Sequence, residues 1–250
     1  MGPRRRTVRR VPDVAAALRT ATRLSVVPDT PPRSAKAEQT RRTIIDAAMR
    51  QFEAKGYEKA TMRAIADEAG VSIGNAYYYF SSKEHLVQAY YDRINADHAA
   101  AAEQALDATT SFADRLTGVL LAWVDVAEPY HQFAGKFFKT AAEPTSPLSP
   151  FSADSQATRL AAIELHRRVV DGSDLKLGKA LRAELPELLW LAQMGVVLFW
   201  VHDTSDGQQR TRQLVRQAVP VIDRALRLTR LPGVRGLVDD VVGLVRTLKP

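Results

Sequence analysis

The order of apolar residues, glycines and hydroxyls between positions 40 and 86 (TRRTIIDAAMRQFEAKGYEKATMRAIADEAGVSIGNAYYYFSSKEHL) constrains this chain more than any other feature. Within 40–54, Ile45, Ala48, Met49 and Phe52 recur at i, i+3, i+4 and i+7, the stripe of an amphipathic helix. Gly56 suits the position past its C-terminus, where positive φ is needed. Thr61 is the expected N-cap of a second helix, with Ile65, Ala66 and Ala69 on its buried face. Gly70 permits a sharp turn, and Ser72 then caps a third helix over 73–79. Ser81 with Glu84 reads as a capping box opening a fourth, with Leu86, Val87, Tyr90, Tyr91 and Ile94 as its stripe. The third helix carries small, polar and tyrosyl groups where core is expected, as a helix entering a DNA major groove requires.

These residues carry a resemblance. The order Ile45, Ala48, Phe52, Gly56-Tyr57, Thr61, Ile65-Ala66, Ala69-Gly70-Val71-Ser72, Gly74, Tyr77, Phe80, Lys83 and Leu86 resembles the TetR-type transcriptional regulators. The likeness covers about 50 residues at high specificity; beyond them only the helical pattern and length are similar. It implies a homodimer, an N-terminal helix-turn-helix domain and a larger C-terminal domain that dimerises and often binds a small molecule.

Several residues are expected to touch DNA. Ser72, Ile73, Gly74 and Asn75 lie in the first turn of the third helix, within reach of base edges. Gly74 lets the backbone approach closely, and the Asn75 amide suits adenine. Tyr77 and Tyr78 offer hydroxyls to phosphates, and Lys83 at a helix start reads as a phosphate clamp. Thr61 and Arg63 suit the same backbone, as does Arg42. Tyr79 and Phe80 are expected to be core.

The remaining chain reads as helix throughout. The expected fold is therefore all-α: a three-helix helix-turn-helix domain at 36–88 and a larger helical domain at 89–250 for ligand binding and dimerisation. Ser111 and Asp114 open a helix bearing Phe112, Leu116, Val119, Leu120, Trp123, Val124 and Ala127. Pro129 suits the first turn of the next, which carries Phe133, Phe137 and Phe138. Residues 143–150, with three prolines, form a loop before a helix over 154–170. Pro186 starts or kinks a helix that is apolar almost all round through Val201, too short and too interrupted by Gln193 for a membrane span. A helix over 208–228, kinked at Pro220, follows it. These last two are the expected dimerising pair. A small-molecule pocket, if formed, is expected among Phe112, Trp123, His131, Phe133, Phe137, His166, Trp190 and Met194.

Net charge is +7, but eight arginines against Asp13 and Asp29 place +6 of it in residues 1–34. Five prolines and no sustained apolar face lead to the expectation of a mostly disordered arm, with a transient helix over Val14–Leu24. Three readings stay open: an arm following the duplex through its minor groove, an inert extension, and an Arg-rich targeting peptide. Absence of cysteine excludes disulfides and thiolate metal sites and fits a reducing cytoplasm.

Catalysis finds no support. The five histidines (85, 98, 131, 166, 202) form no H-E-x-x-H, and neither G-x-S-x-G nor G-x-G-x-x-G occurs. Gly172…Gly178-Lys179 has the wrong spacing for a phosphate loop, and Ala180 replaces its Ser/Thr. No catalytic residue, metal site or cofactor is expected. The reading is a cytoplasmic, ligand-responsive repressor binding a palindromic double-stranded operator as a homodimer. The alternatives are a regulator without an effector and, more remotely, a helical enzyme.

Overall fold

The structure, a computed structural model, describes residues 35–231 together with Gly233, Asp240, Gly243 and Thr247. The arginine-rich segment 1–34 lies outside the described residues. The chain divides into two units at Thr40/Arg41; of the first only residues 35–40 are described, and the packing of the helices belongs to the second.

Every regular element among the described residues is helical: α1 (Ala35–Lys55), α2 (Met62–Glu68), α3 (Ile73–Tyr79), α4 (Lys83–Ala108), α5 (Phe112–Ala127), α6 (His131–Ala142), α7 (Gln156–Asp171), α8 (Lys179–Val201) and α9 (Gln209–Leu228). Single 3-10 turns, Glu128–Tyr130 and Asp206–Gln208, precede α6 and α9.

Local chemistry sets the boundaries of the first four helices. Gly56, at φ +81°, ends α1. Thr61 Oγ1 accepts from Ala64 N at 3.2 Å and starts α2. Gly70, at φ +68°, turns the chain, and Ser72 Oγ accepts from Asn75 N at 3.1 Å to start α3. Each cap satisfies an N–H that has no partner inside its own helix. At α4 the expectation needs correcting: the cap is Ser82, which accepts from His85 N at 3.3 Å. Ser81 instead bonds His85 Nδ1, and Glu84 is drawn away to accept from the Tyr57 hydroxyl at 2.7 Å.

Ile44, Ala47 and Ile65 join Ile45, Ala48, Met49 and Phe52 in one buried cluster with Phe80, Leu86, Val87, Tyr90 and Ile94. Phe133 and Phe137 of α6 belong to the same cluster, Phe133 stacking on Phe52 of α1.

The C-terminal bundle packs α5 against α4 and α9, and α7 against α4 and α8. At the α4–α5 crossing, a Cβ on Gly118 would collide with the Ala105 methyl, so the two backbones approach only because position 118 is glycine. Helix α8 begins seven residues before Pro186, which lies inside it. Lys179–Leu185 consists mainly of strong helix formers, and their propensity carries the helix through the proline. By length and composition α8 is long and apolar enough to cross a membrane. In the fold it packs on α6, α7 and α9, with Glu184 and Gln193 buried. Pro220 likewise lies within α9.

One buried charge serves two helix ends. Arg115, in the first turn of α5 beside Phe112 and Leu116, donates to Thr109 O (2.9 Å), Arg168 O (2.8 Å), Val169 O (3.2 Å) and Leu106 O. It thereby closes the C-terminal carbonyls of α4 and α7 with a single guanidinium. Gly172 leaves the room this group needs, since a Cβ there would strike the guanidinium.

Candidate nucleic-acid interface and ligand cavity

Only Ala76 of α3 is buried. Ser72, Gly74 and Asn75 are exposed, Tyr77 is 50% exposed and Tyr78 81%. Ile73 and Tyr79 are half-buried against the cluster, and Phe80 is buried, as expected of core. A Cβ on Gly74 would meet nothing within 4 Å, so packing inside the chain does not require glycine there. Arg63 and Thr61 are exposed at the start of α2, and Arg42 is exposed on α1. Short polar and aromatic groups therefore stand on a helix whose back is held by the Ala76 methyl, Ile73, Tyr79 and the Phe80 anchor.

Lys83, at the start of α4, is engaged within the chain. Its Nζ donates to Tyr57 O at 2.7 Å and Glu58 O at 3.3 Å and lies 4.5 Å from the Tyr57 ring centroid. Two of its three protons are committed to tying α4 onto the α1–α2 loop. The neighbouring Tyr57 hydroxyl holds the Glu84 carboxyl below the usual carboxylate range, while burial raises Tyr57 itself.

A second feature lies in the bundle: a cavity of about 540 Å³ between α4, α5, α6, α7, α8 and the 149–151 loop. Trp123, Phe133, Phe137, Trp190 and Met194 line it, as expected. Three expected residues do not. Phe112 is fully buried in the cluster between α4, α5 and α7. The other two are histidines. His131 Nε2 bonds Trp200 O at 2.7 Å, and its ring stands edge-on to Trp200. His166 lies behind the wall, its Nε2 2.7 Å from Oε1 of Gln193, which does line the cavity. Burial pulls the His166 pKa down to about 4, so the ring is neutral.

Residues 115–244, just over half the chain, match the profile described as the tetracyclin repressor-like C-terminal domain. Residues 44–90 match that of the bacterial regulatory proteins of the tetR family. The chain belongs to the TetR family. Among its relatives is the HTH-type transcriptional regulator TtgR of Pseudomonas putida, 40% identical over 74 residues, 29% of this chain and 35% of TtgR. The HTH-type transcriptional repressor KstR2 of Mycolicibacterium smegmatis is 32% identical over 110 residues, 42% of this chain and 50% of KstR2. The chain thus spans between a third and a half of the length of these relatives. The crystal structure of the regulator FadR from Bacillus subtilis in complex with stearoyl-CoA shares the fold, with a TM-score of 0.54 at 16% identity over 70% of this chain and 97% of FadR.

In this TetR-family chain, α6 belongs to both features. Phe133 and Phe137 line the cavity while Phe133 stacks on Phe52 (6.0 Å between centroids) and Phe137 meets Tyr57 edge-on (5.5 Å). Lys136 Nζ donates to Glu53 O at 2.7 Å. Arg93 on α4 joins Asp46 of α1 and the Tyr130 hydroxyl, each at 2.6 Å. Sequence reasoning missed Arg93, Lys136, Arg115 and Gln193. None belongs to a local motif, and their partners lie 27 to 83 positions away except for the two nearer carbonyls of Arg115.

Proposed function

We propose that this chain is a repressor that binds a palindromic operator as a homodimer in the cytoplasm and is released from it by a small-molecule effector. Residues 36–88 read DNA, and 89–250 dimerise and hold the effector. The observation that carries this reading is α3, whose exposed Asn75, Tyr77 and Tyr78 project from a base fixed by capped helices. Asn75, with Ser72, Ile73 and Gly74, reads bases, while Tyr77, Tyr78, Thr61, Arg63 and Arg42 hold phosphates. Lys83 contributes through its remaining proton and the α4 backbone N–H groups.

Two further observations support the dimer and the effector. Leu191, Leu198 and Phe199 on α8, with Val221 and Leu228 on α9, are exposed apolar groups on adjacent helices. A two-fold copy burying them spaces two α3 helices for adjacent half-sites. The cavity lies within the range of about 300–1,000 Å³ usual for small-molecule sites, and FadR, of the same fold, holds stearoyl-CoA. A ligand that prefers the geometry with the wrong α3 spacing lowers operator affinity by that difference in binding.

Selecting bound sequences from random duplex DNA tests this directly. Enrichment of an inverted repeat, with protection of two half-sites about one helical turn apart, is expected. No enrichment over input, or a single unrepeated site, overturns the reading.

A further inference from the structure

We propose that the cavity takes an amphiphilic anion: an apolar chain among the aromatic walls, with a carboxylate or phosphate head at Arg159. This rests on reading the cavity as a ligand site and names the chemistry it selects.

Among the described residues Arg159 is the one of formal charge in the wall; no Asp, Glu or Lys lines it. Its Nη1 donates to Pro150 O at 2.7 Å and Ser152 O at 3.1 Å. Two neutral carbonyls of the loop thus fix the guanidinium and leave its charge without a counter-ion among the described residues. Elsewhere in the bundle Arg167, Arg168, Arg182, Arg212 and Arg227 each meet a carboxylate. A half-buried cation beside an apolar wall is poorly solvated, and a bound anion offsets that cost. The planar guanidinium also presents further N–H groups in the fork that matches a carboxylate or phosphate.

A second polar group points to the same class. Gln193, 3% exposed, also lines the cavity. Its Oε1 is taken by His166, and its amide nitrogen has no acceptor among the described residues. What the wall lacks is acceptors for these donors. The rest of it is mainly apolar, with aromatic rings from α4, α5, α6 and α8 and the side chain of Phe151. An anion without an apolar body forgoes this surface, and a neutral alkane leaves both donors unpaired. A cation on the same aromatic surface is repelled by Arg159.

The experiment uses the full chain and its own fluorescence, because all three tryptophans, Trp123, Trp190 and Trp200, line the cavity. Decanoate, decyl phosphate, decanol and decyltrimethylammonium are titrated below their micellar concentrations. Decanoate or decyl phosphate is expected to bind at least about 10-fold more tightly than decanol, and the ammonium probe most weakly. Whichever anion is tighter identifies the head group, carboxylate or phosphate. Arg159→Gln is expected to remove the preference while decanol still binds, which also shows that the variant folds; Arg159→Lys retains part of the preference.

Equal affinity for decanoate, decyl phosphate and decanol, or preference surviving in Arg159→Gln, overturns the head-group assignment and leaves the cavity as a ligand site. Tightest binding of the ammonium probe overturns it as well. No fluorescence response to any probe overturns the ligand-site reading itself.

Discussion

Tyr78 on α3 and Trp190 on α8 are both large aromatic side chains on helices, yet the first is 81% exposed and the second 4%. Around Tyr78 the helix is short and begins at a serine cap, with Phe80 anchoring its end. Around Trp190 the helix is long, apolar on most sides, and braced by residues remote in sequence. The boundaries of α1 to α3 are thus set by contacts within a few residues, and the bundle from α4 to α9 is braced by contacts across dozens. The first arrangement leaves one helix face unoccupied; the second surrounds a hollow.

If that contrast is right, the largest effect comes from Arg115. Arg115→Met removes a donor from four carbonyls at the ends of α4 and α7, of which Arg168 O keeps the Gly172 N–H and the other three are stranded. A loss of about 3–5 kcal/mol in denaturant unfolding is expected, by analogy with breaking a buried charged network. A loss below about 1 kcal/mol would mean that the bundle does not depend on its remote contacts.

The pH dependence of stability is the next largest. Burial depresses His166 from 6.5 to about 4 and lowers His98 in the same direction. Between these values the unfolded chain binds a proton that the folded chain refuses. The stabilisation is complete above pH 6.5 and is lost as pH falls towards 4, by up to about 3 kcal/mol for His166. Asp203 titrates lower: bonds from Ser205 and Thr211 outweigh its burial and hold it at about 2, so its contribution fades only below that window. Chemical denaturation at pH 7, 5.5 and 4.5 measures the slope, which His166→Gln should reduce.

Changes on α3 should act on DNA and spare the fold. Asn75→Ala is expected to cost about 1–3 kcal/mol of discrimination between operator and altered sites, measured by competition binding, with unfolding unchanged. Equal weakening on operator and random DNA would remove its base-reading role. The smallest effect is on stability at Gly74. Gly74→Ala meets nothing within 4 Å and exchanges a poor helix former for the best, gaining up to about 1 kcal/mol in unfolding. The same variant should weaken operator binding. Intact binding would show that DNA does not approach this backbone.

The sequence was most legible from Gly56 to Tyr79. Gly56, Thr61, Gly70 and Ser72 each take the position read from them, because a cap or left-handed turn involves atoms within four residues. Legibility failed first at Ser81 and Ser82, where two hydroxyls compete and the choice depends on Tyr57, 27 positions before Glu84. For the cavity, the aromatic residue types were visible and their neighbours were not. Phe112 and Trp123 lie on one apolar stripe of α5, yet only Trp123 reaches the hollow.

By itself the sequence determined the family, the helical class, and the order and caps of α1 to α3, since periodicity and capping are local properties of the chain. Tertiary structure decided that Arg115 closes two helices, that Lys83 is bound to carbonyls, that His166 stands behind Gln193, and that Arg159 meets the cavity with only carbonyls for partners. Each depends on which distant backbone or side-chain atom arrives beside it, and no pattern of neighbouring residues encodes that meeting.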